Sequence, residues 1–360
     1  MIYLDYQATT PLAPEARDAM LPWLGGPEGQ GFANPHSAHR AGRAAAAAVE
    51  AAREQVAALF PPGGRVIFTG SATEALNLAI LGSRQEGPIA VSAIEHAAVL
   101  DTVAMSGRAV QVLGCGADGI VDAEQAIAAG TALVAVMQVN NEIGTIQPVE
   151  AIARAAHDAG AMFVCDAVQG AGKLVPPAGA DLIAISAHKL YGPKGIGALW
   201  VRDGTVLAPH IHGGGQEARL RSGTLSPALC AGFGVAAALA VRRMEQDSAH
   251  IEQLWNAACG KMAEWTINGS TLRRWRGNLN LRRGALDVAR LMSDVRSVAF
   301  SAGSACASGS GRPSHVLRAI GLDDREAKSS VRLGFGRYTT IQDIEDACTQ
   351  LNAAAAAQGV

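Results

Sequence analysis

Leu182-Ile183-Ala184-Ile185 runs into Ser186-Ala187-His188-Lys189-Leu190-Tyr191-Gly192-Pro193, and a little upstream the apolar run Ala161 to Cys165 ends in Asp166-Ala167-Val168-Gln169. Each apolar run is short and continuous, as a strand buried on both faces is. An acid closes the first run and a lysine follows the second. In an open α/β sheet, ligands bind just outside the carboxyl ends of the strands. A lysine and an acid placed there have the chemistry that pyridoxal phosphate needs. The amine forms a Schiff base with the aldehyde, and the carboxylate pairs with the protonated pyridine nitrogen and makes the ring an electron sink. Taken alone, the pair reads more readily as a surface lysine and a strand-end aspartate, so the rest of the chain has to decide.

Working outward, strand-like and helix-like segments alternate. Val66 to Thr69 reads as a strand and Ala72 to Leu81 as a helix. Ile89 to Ser92 is a strand, followed by a helix from Ala97. Ala109 to Leu113 is a strand and Asp122 to Ala129 a helix. Leu133 to Val139 is a strand and Val149 to Ala159 a helix. Upstream, the alanine-rich stretch after His39 runs as a helix to Phe60, where Pro61-Pro62-Gly63-Gly64 stops it. This rhythm predicts a mainly parallel sheet with helices on both faces. It changes after Ser226. A long helix from Pro227 to about Ala263 leads into shorter strands around Gly277 to Leu281 and Val298 to Phe300, with helices at Ala285 to Met292, Pro313 to Ile320 and from Ile341. The expected organisation is a large domain over residues 15–250 and a smaller α+β domain made of residues 1–14 and 251–360.

The 360 residues are 49% apolar and 17% charged, with a net charge of −2. That is a globular composition, and it offers nothing to attract nucleic acid or an anionic membrane. No uninterrupted apolar run has the length of a membrane span. The start, Met1-Ile2-Tyr3-Leu4-Asp5-Tyr6, has neither a basic segment nor an apolar core like a signal peptide, so a cytoplasmic location is the default expectation. Six scattered cysteines contain no Cys-x-x-Cys pair, which argues against a disulfide framework and a zinc ribbon. Cys165, Cys230, Cys259 and Cys348 sit in apolar or alanine-rich surroundings and read as core residues. Cys115 lies between glycines, as in a turn.

Several short motifs carry possible chemistry. Thr69-Gly70-Ser71-Ala72-Thr73-Glu74 joins a strand to a helix, where small residues and a helix N-terminus suit a phosphate. The same residues also read as an N-cap at Ser71 with Glu74 completing a capping box. Glu95-His96 follows a strand, where a histidine can stack on a flat cofactor and move protons. Asn140-Asn141-Glu142-Ile143-Gly144 ends another strand and fits either turn chemistry or a ligand corner. His210 and His212 flank a glycine loop but have no acidic or cysteine partner at ligand spacing, so no metal is expected. Arg332 alternates with Val331 and Leu333, which suits a solvent-facing charge or a guanidinium holding a carboxylate. Gly303-Ser304-Ala305-Cys306-Ala307-Ser308-Gly309 is too rich in small residues to fill a core, and a cysteine in such an exposed loop is a candidate nucleophile.

With these pieces assembled, the chain resembles the cysteine desulfurases, in the class V aminotransferase-like group of fold-type I pyridoxal phosphate enzymes. The resemblance runs from Tyr3-Leu4-Asp5-Tyr6-Gln7-Ala8-Thr9-Thr10-Pro11 through Asn34-Pro35-His36-Ser37-Ala38-His39 to Gly336-Arg337. It is nearest to the iron–sulfur-cluster and nitrogen-fixation type, whose reactive cysteine sits in a loop like Gly303-Ser304-Ala305-Cys306. It implies a seven-stranded, mainly parallel sheet in the large domain. By the resemblance, Lys189 is the anchoring lysine, Asp166 the partner of the ring nitrogen, and Gln169 the donor to the ring hydroxyl. His96 stacks on the ring; since a thiol of ordinary pKa is mostly protonated at neutral pH, a nearby base such as His96 is also expected to help it. Ala72, Thr73, Ser186 and His188 hold the phosphate, with Thr224 reaching a partner subunit's phosphate in a homodimer. Asn141 and Arg332 hold the substrate carboxylate, and Cys306 takes the sulfur. The implied reaction converts L-cysteine to L-alanine with a persulfide on Cys306, to be passed to an acceptor such as an iron–sulfur scaffold, a tRNA-thiolation protein or a DNA-modification system. A selenocysteine lyase or an aminotransferase of the same fold is the alternative, and a non-catalytic relay would be expected to lack Lys189 or Asp166. One departure is visible: where the family has Ser-Gly before Ala-Thr-Glu, this chain has Gly70-Ser71.

Overall fold

The computed structural model describes residues 1–29, 31–303 and 313–360, and Cys306 lies outside them. In chain order the first half contains β1 (Ile2–Tyr3), α1 (Pro14–Met20), α2 (Arg40–Ala57), β2 (Gly64–Thr69), α3 (Ala72–Leu81), β3 (Ile89–Ser92), α4 (Ala97–Met105) and β4 (Val110–Leu113). Then come β5 (Leu133–Ala135), α5 (Val149–Asp158), β6 (Met162–Asp166), β7 (Leu182–Ser186), β8 (Gly197–Arg202) and the long α6 (Pro227–Lys261). The remainder is β9 (Thr266–Ile267), β10 (Asn278–Arg282), α7 (Val288–Asp294), β11 (Val298–Ala299), β12 (Ser301–Ala302), α8 (His315–Ala319), α9 (Asp324–Lys328), β13 (Ser330–Gly334) and α10 (Ile341–Ala356).

The seven-stranded sheet has the order β2-β8-β7-β6-β5-β3-β4. Pairings from β4 through β7 are parallel, and only β8 runs against its two neighbours. The side-chain period of two explains why both faces are apolar. Phe163 and Cys165 of β6 enter one core cluster and Val164 the other; Ile183 and Ile185 of β7 join the first, Leu182 and Ala184 the second. Ala198 and Trp200 of β8 divide from Leu199 and Val201 in the same way. Helices α3 and α4 cover one face, while α2, α5 and α6 cover the other.

A third cluster surrounds the four-stranded sheet β12-β13-β10-β9 and gathers Leu4 with residues of α6, α7 and α10. The N-terminal strand joins this side, with β1 pairing parallel to β11 and Asp5 bridging Gly334. Val316 and Leu317 of α8, Ile320 just after it and Ala327 of α9 instead enter the cluster of the seven-stranded sheet. By length and composition α6 could cross a membrane, but half of its apolar window is buried inside the fold, where it packs on α1 and α2.

Two local expectations need correction. Residues Asp122 to Ala129 form turns rather than a helix. The Asp122 carboxylate accepts the Glu124 N–H, and Gln111 of β4 donates to Ala126 O and accepts the Ala128 N–H, so side chains take the backbone groups a helix would pair. Strand β8 was not read from the sequence. It is a short apolar run between glycines, and Gly197 admits no side chain: a Cβ there would lie 2.6 Å from the Ser71 carbonyl carbon.

The buried cysteines follow expectation for Cys165, Cys230 and Cys348, while Cys259 is only partly covered. Cys115 is half-buried beside Ala319 O rather than simply in a turn.

Candidate active site

A cavity of about 330 Å³ opens where β6 and β7 end. It is lined by Ala72, Thr73, His96, Asn141, Asp166, Gln169, Ser186, His188, Lys189 and Arg332, so ten of the twelve residues singled out from the sequence meet there. Thr224 does not line it and is exposed. Cys306 falls outside the described residues.

Asp166 is the last residue of β6, and the register that sets it opposite Ala184 of β7 brings Lys189 round from the neighbouring strand end. One Asp166 oxygen accepts the Val168 N–H at 2.9 Å. Burial raises its pKa, opposed by His96, by that hydrogen bond and by Lys189. A desolvated carboxylate of this kind gains from a cationic partner. The Lys189 Nζ donates to the carbonyl oxygens of Gln7 (2.6 Å) and Ala8 (2.7 Å). Its position is braced by Tyr191, whose backbone lies in the left-handed region at φ 67° and is held there by Thr10 Oγ1 on its N–H.

At α3, Ser71 is the N-cap and accepts the Glu74 N–H at 3.2 Å. The capping box is not closed, because Glu74 turns to the N–H of Gly70 (2.7 Å) and to Arg221 (2.7 Å). The Gly70-Ser71 order therefore gives the helix a side-chain cap, and the first-turn residues Ala72 and Thr73 stay on the cavity wall. Desolvation, followed by repulsion from Lys189, Lys194 and Lys173, pushes His188 down to about 4, so its ring is neutral near pH 7. Its Nδ1 lies 3.1 Å from Thr9 Oγ1. His96 caps α4, its Nδ1 accepting the Ala98 N–H at 3.0 Å. Gln169 Nε2 donates to Gln7 O at 3.0 Å.

Arg332 is 1% exposed. Its Nη1 donates to Asn141 O (3.0 Å) and its Nη2 to Asp5 Oδ1 (2.8 Å), while Nε has no partner among the described residues. In the four-stranded sheet it stands in register with Asn280 of β10 and Ser301 of β12. Its burial excludes the solvent-facing charge that the alternation with Val331 and Leu333 allowed.

Gln7 and Ala8 were not singled out, although they line the cavity and hold Lys189. Their part is played by backbone carbonyls, which no residue type advertises. Asp5 was missed for a similar reason: its partners Ser301 and Arg332 are remote in the chain.

The donor set fits pyridoxal phosphate. A helix N-terminus with small residues, Ser186 and a neutral His188 suit a phosphate, a buried carboxylate suits a ring nitrogen cation, and a lysine is available for the aldehyde.

Comparison with known proteins agrees with this geometry. Residues 2–346 match the Aminotransferase class-V family. Cysteine desulfurase IscS of Rickettsia bellii is 42% identical over 98% of this chain and 91% of its own length. The Rickettsia rickettsii protein of the same name is 41% identical over 96% and 88%. Among solved structures, a NifS-like protein superimposes with a TM-score of 0.89 at 29% identity, covering all of both chains. SspA in complex with cysteine superimposes with a TM-score of 0.82 at 36% identity, over 94% of this chain and all of that one. Sequence, fold and cavity converge, and the chain belongs to the cysteine desulfurases of the class-V aminotransferase family.

Proposed function

We propose that this protein is a pyridoxal phosphate-dependent cysteine desulfurase that converts L-cysteine to L-alanine and stores the sulfur as a persulfide on Cys306. The observation that carries the reading is the single cavity that gathers Lys189, Asp166, His188, Asn141 and Arg332 in a chain that also keeps Gly303-Ser304-Ala305-Cys306.

Pyridoxal phosphate, when bound, supplies an electron sink for charge developing on the substrate. Ala72, Thr73, Ser186 and His188 hold its phosphate, Asp166 its ring nitrogen and Gln169 its hydroxyl, and His96 covers the ring. Lys189 anchors the aldehyde and, once released, moves the proton at the substrate Cα. Arg332 and the side chain of Asn141 orient the substrate carboxylate. The Cys306 thiolate attacks the substrate sulfur, the S–S bond forms as the carbon–sulfur bond breaks, and the carbon left behind takes a proton to become the alanine methyl. His96, on the cavity wall, assists the Cys306 thiol as a base. In net terms one cysteine and one thiol become one alanine and one persulfide.

The same reading assigns residues 15–250 to a large cofactor domain, and 1–14 with 251–360 to a small one. It places the enzyme in the cytoplasm as a homodimer in which the exposed Thr224 completes the partner subunit's phosphate site. The sulfur passes to an acceptor protein, of which an iron–sulfur scaffold is the first to test.

The deciding experiment is Cys306→Ser. The variant should keep the yellow absorbance of the bound cofactor yet release no sulfide from cysteine under reductant. Sulfide release at the wild-type rate would sink the persulfide route. Conversion of a 2-oxo acid to an amino acid, unaffected by the substitution, would point to an aminotransferase.

A further inference from the structure

The turn Asn140 to Gly144 is organised from within. Asn140 Oδ1 accepts the N–H groups of Glu142 (2.8 Å) and Ile143 (2.9 Å), and its Nδ2 donates to Ile94 O (2.8 Å). Its remaining groups reach the second half of the chain. Asn141 O accepts from Arg332 Nη1 and from Asn278 Nδ2 (3.1 Å), and Glu142 O accepts from Asn280 Nδ2 (3.0 Å). The Glu142 carboxyl, 4% exposed, is hydrogen-bonded to the Ser314 hydroxyl.

Ser314 caps α8 by accepting the Leu317 N–H at 3.1 Å, and the next residue, His315, donates from Nε2 to Glu95 O at 2.9 Å. Val316 and Leu317 of α8, with Ile320 just after it, share a core cluster with Ile143. On the other flank, the Gly303 N–H donates to Ser330 O (2.8 Å), and Asn280 Nδ2 lies 3.5 Å from Gly303 O. Gly303 and Ser314 stand on either side of Cys306 in the chain. Both therefore hang from the turn that carries Asn141, Gly303 through Asn280 and Ser314 through Glu142.

Resting on the desulfurase reading, we propose that Glu142 is a positioning residue for sulfur transfer: its hydrogen bond to Ser314 ties the cap of α8 to the corner that holds the substrate carboxylate. A buried side chain that spans from a strand-end turn to the cap of a helix far along the chain is costly to desolvate. Burial raises the pKa of Glu142, offset by the Ser314 bond and by the charges of His315, Arg332 and His96. The bond needs an acceptor on residue 142, not a charge, so glutamine should replace the glutamate.

The test uses the full-length holoenzyme. Glu142→Ala and Ser314→Ala should each lower kcat for alanine formation about tenfold. KM for cysteine should stay within about threefold and the cofactor absorbance should be unchanged. The double variant should be no slower than either single, as expected when two residues act through one contact. Glu142→Gln should restore kcat to within about threefold of wild type. A second readout is independent of turnover: alkylation of Cys306 by iodoacetamide, followed by mass spectrometry, should change at least threefold in Glu142→Ala and Ser314→Ala but not in Glu142→Gln. Wild-type kcat in the alanine variants, additive losses in the double variant, or a rise in KM accompanied by loss of absorbance would each overturn the proposal. A wild-type protein that forms no alanine from cysteine, with the alkylation pattern as expected, would sink the desulfurase reading and leave the tether standing.

Discussion

The two walls of the cavity hold their polar groups by different physics. The wall from the seven-stranded sheet presents residues at strand ends, where the chain leaves the core and side chains meet space without disturbing the packing behind them: Asp166 ends β6, and Ser186, His188 and Lys189 follow one another out of β7. The wall from the four-stranded sheet presents Arg332 from the middle of β13, between the fully buried Val331 and Leu333. A guanidinium there is tolerable only because Asp5, Ser301 and Asn141 O meet it. Strand ends make a site at little packing cost, whereas a sheet face makes one only when a polar network is built to receive it.

Four measurements would break or sharpen that contrast. The largest effect is expected at the strand ends. Lys189→Ala should abolish the yellow absorbance and lower turnover on the order of 10³-fold or more, since no other group replaces an anchoring amine. Should the band survive, Lys194 or another lysine is the anchor. On the opposite wall Arg332→Lys keeps a positive charge but loses the planar fork. KM for cysteine should rise about 10- to 100-fold with the absorbance retained. A loss of absorbance equal to that of Lys189→Ala would show that the two walls are not separable.

A third measurement concerns Glu95, fully buried behind the strand ends. Its Oε1 accepts the Ser92 hydroxyl (2.5 Å) and the Met137 N–H (2.8 Å), while Oε2 has no partner among the described residues. Burial, with Asp166 adding repulsion, pushes this carboxyl from 4.5 up to about 8, against the pull of those hydrogen bonds and of His96. The folded protein thus keeps a proton there that the unfolded chain loses. Stability from this group is complete below about pH 4.5 and declines as pH rises through about 8. Glu95→Gln, which imitates the protonated form, should match wild type in denaturation midpoint at pH 5 and exceed it above pH 8. Parallel curves for the two proteins would refute the assignment. The smallest effect belongs to the cap of α3. Ser71→Ala should cost about 1 kcal/mol in denaturant unfolding, and a loss several times larger would mean that Ser71 does more than cap.

The sheet was largely legible because each strand repeats a local pattern. Ala72–Leu81 was bounded correctly by its cap and its glycine, and the strands leading to Asp166 and Lys189 stood out as apolar runs. Strand β8 escaped because its glycines look like a loop until Ser71 is seen packed against Gly197. Asp122 to Ala129 misled because Gln111, on a different strand, takes the backbone groups on which a helix would depend.

The same division runs through the site. Residue type and strand-end position pointed to Lys189 and Asp166, and a loop of small residues to Cys306, while the role of His188 came with the family resemblance. Gln7 and Ala8 act through carbonyls, Asp5 through a guanidinium remote in sequence, and Glu142 through a serine on another helix. Those roles arise only when distant segments are brought into contact, because a hydrogen bond depends on where two atoms end up and not on how far apart they lie in the chain. The amino-acid sequence by itself pointed to the family and to most of the strands of the large sheet. The burial of Arg332 and the hub at Asn140 to Gly144 were decided by the tertiary structure, which sets desolvation and partner together.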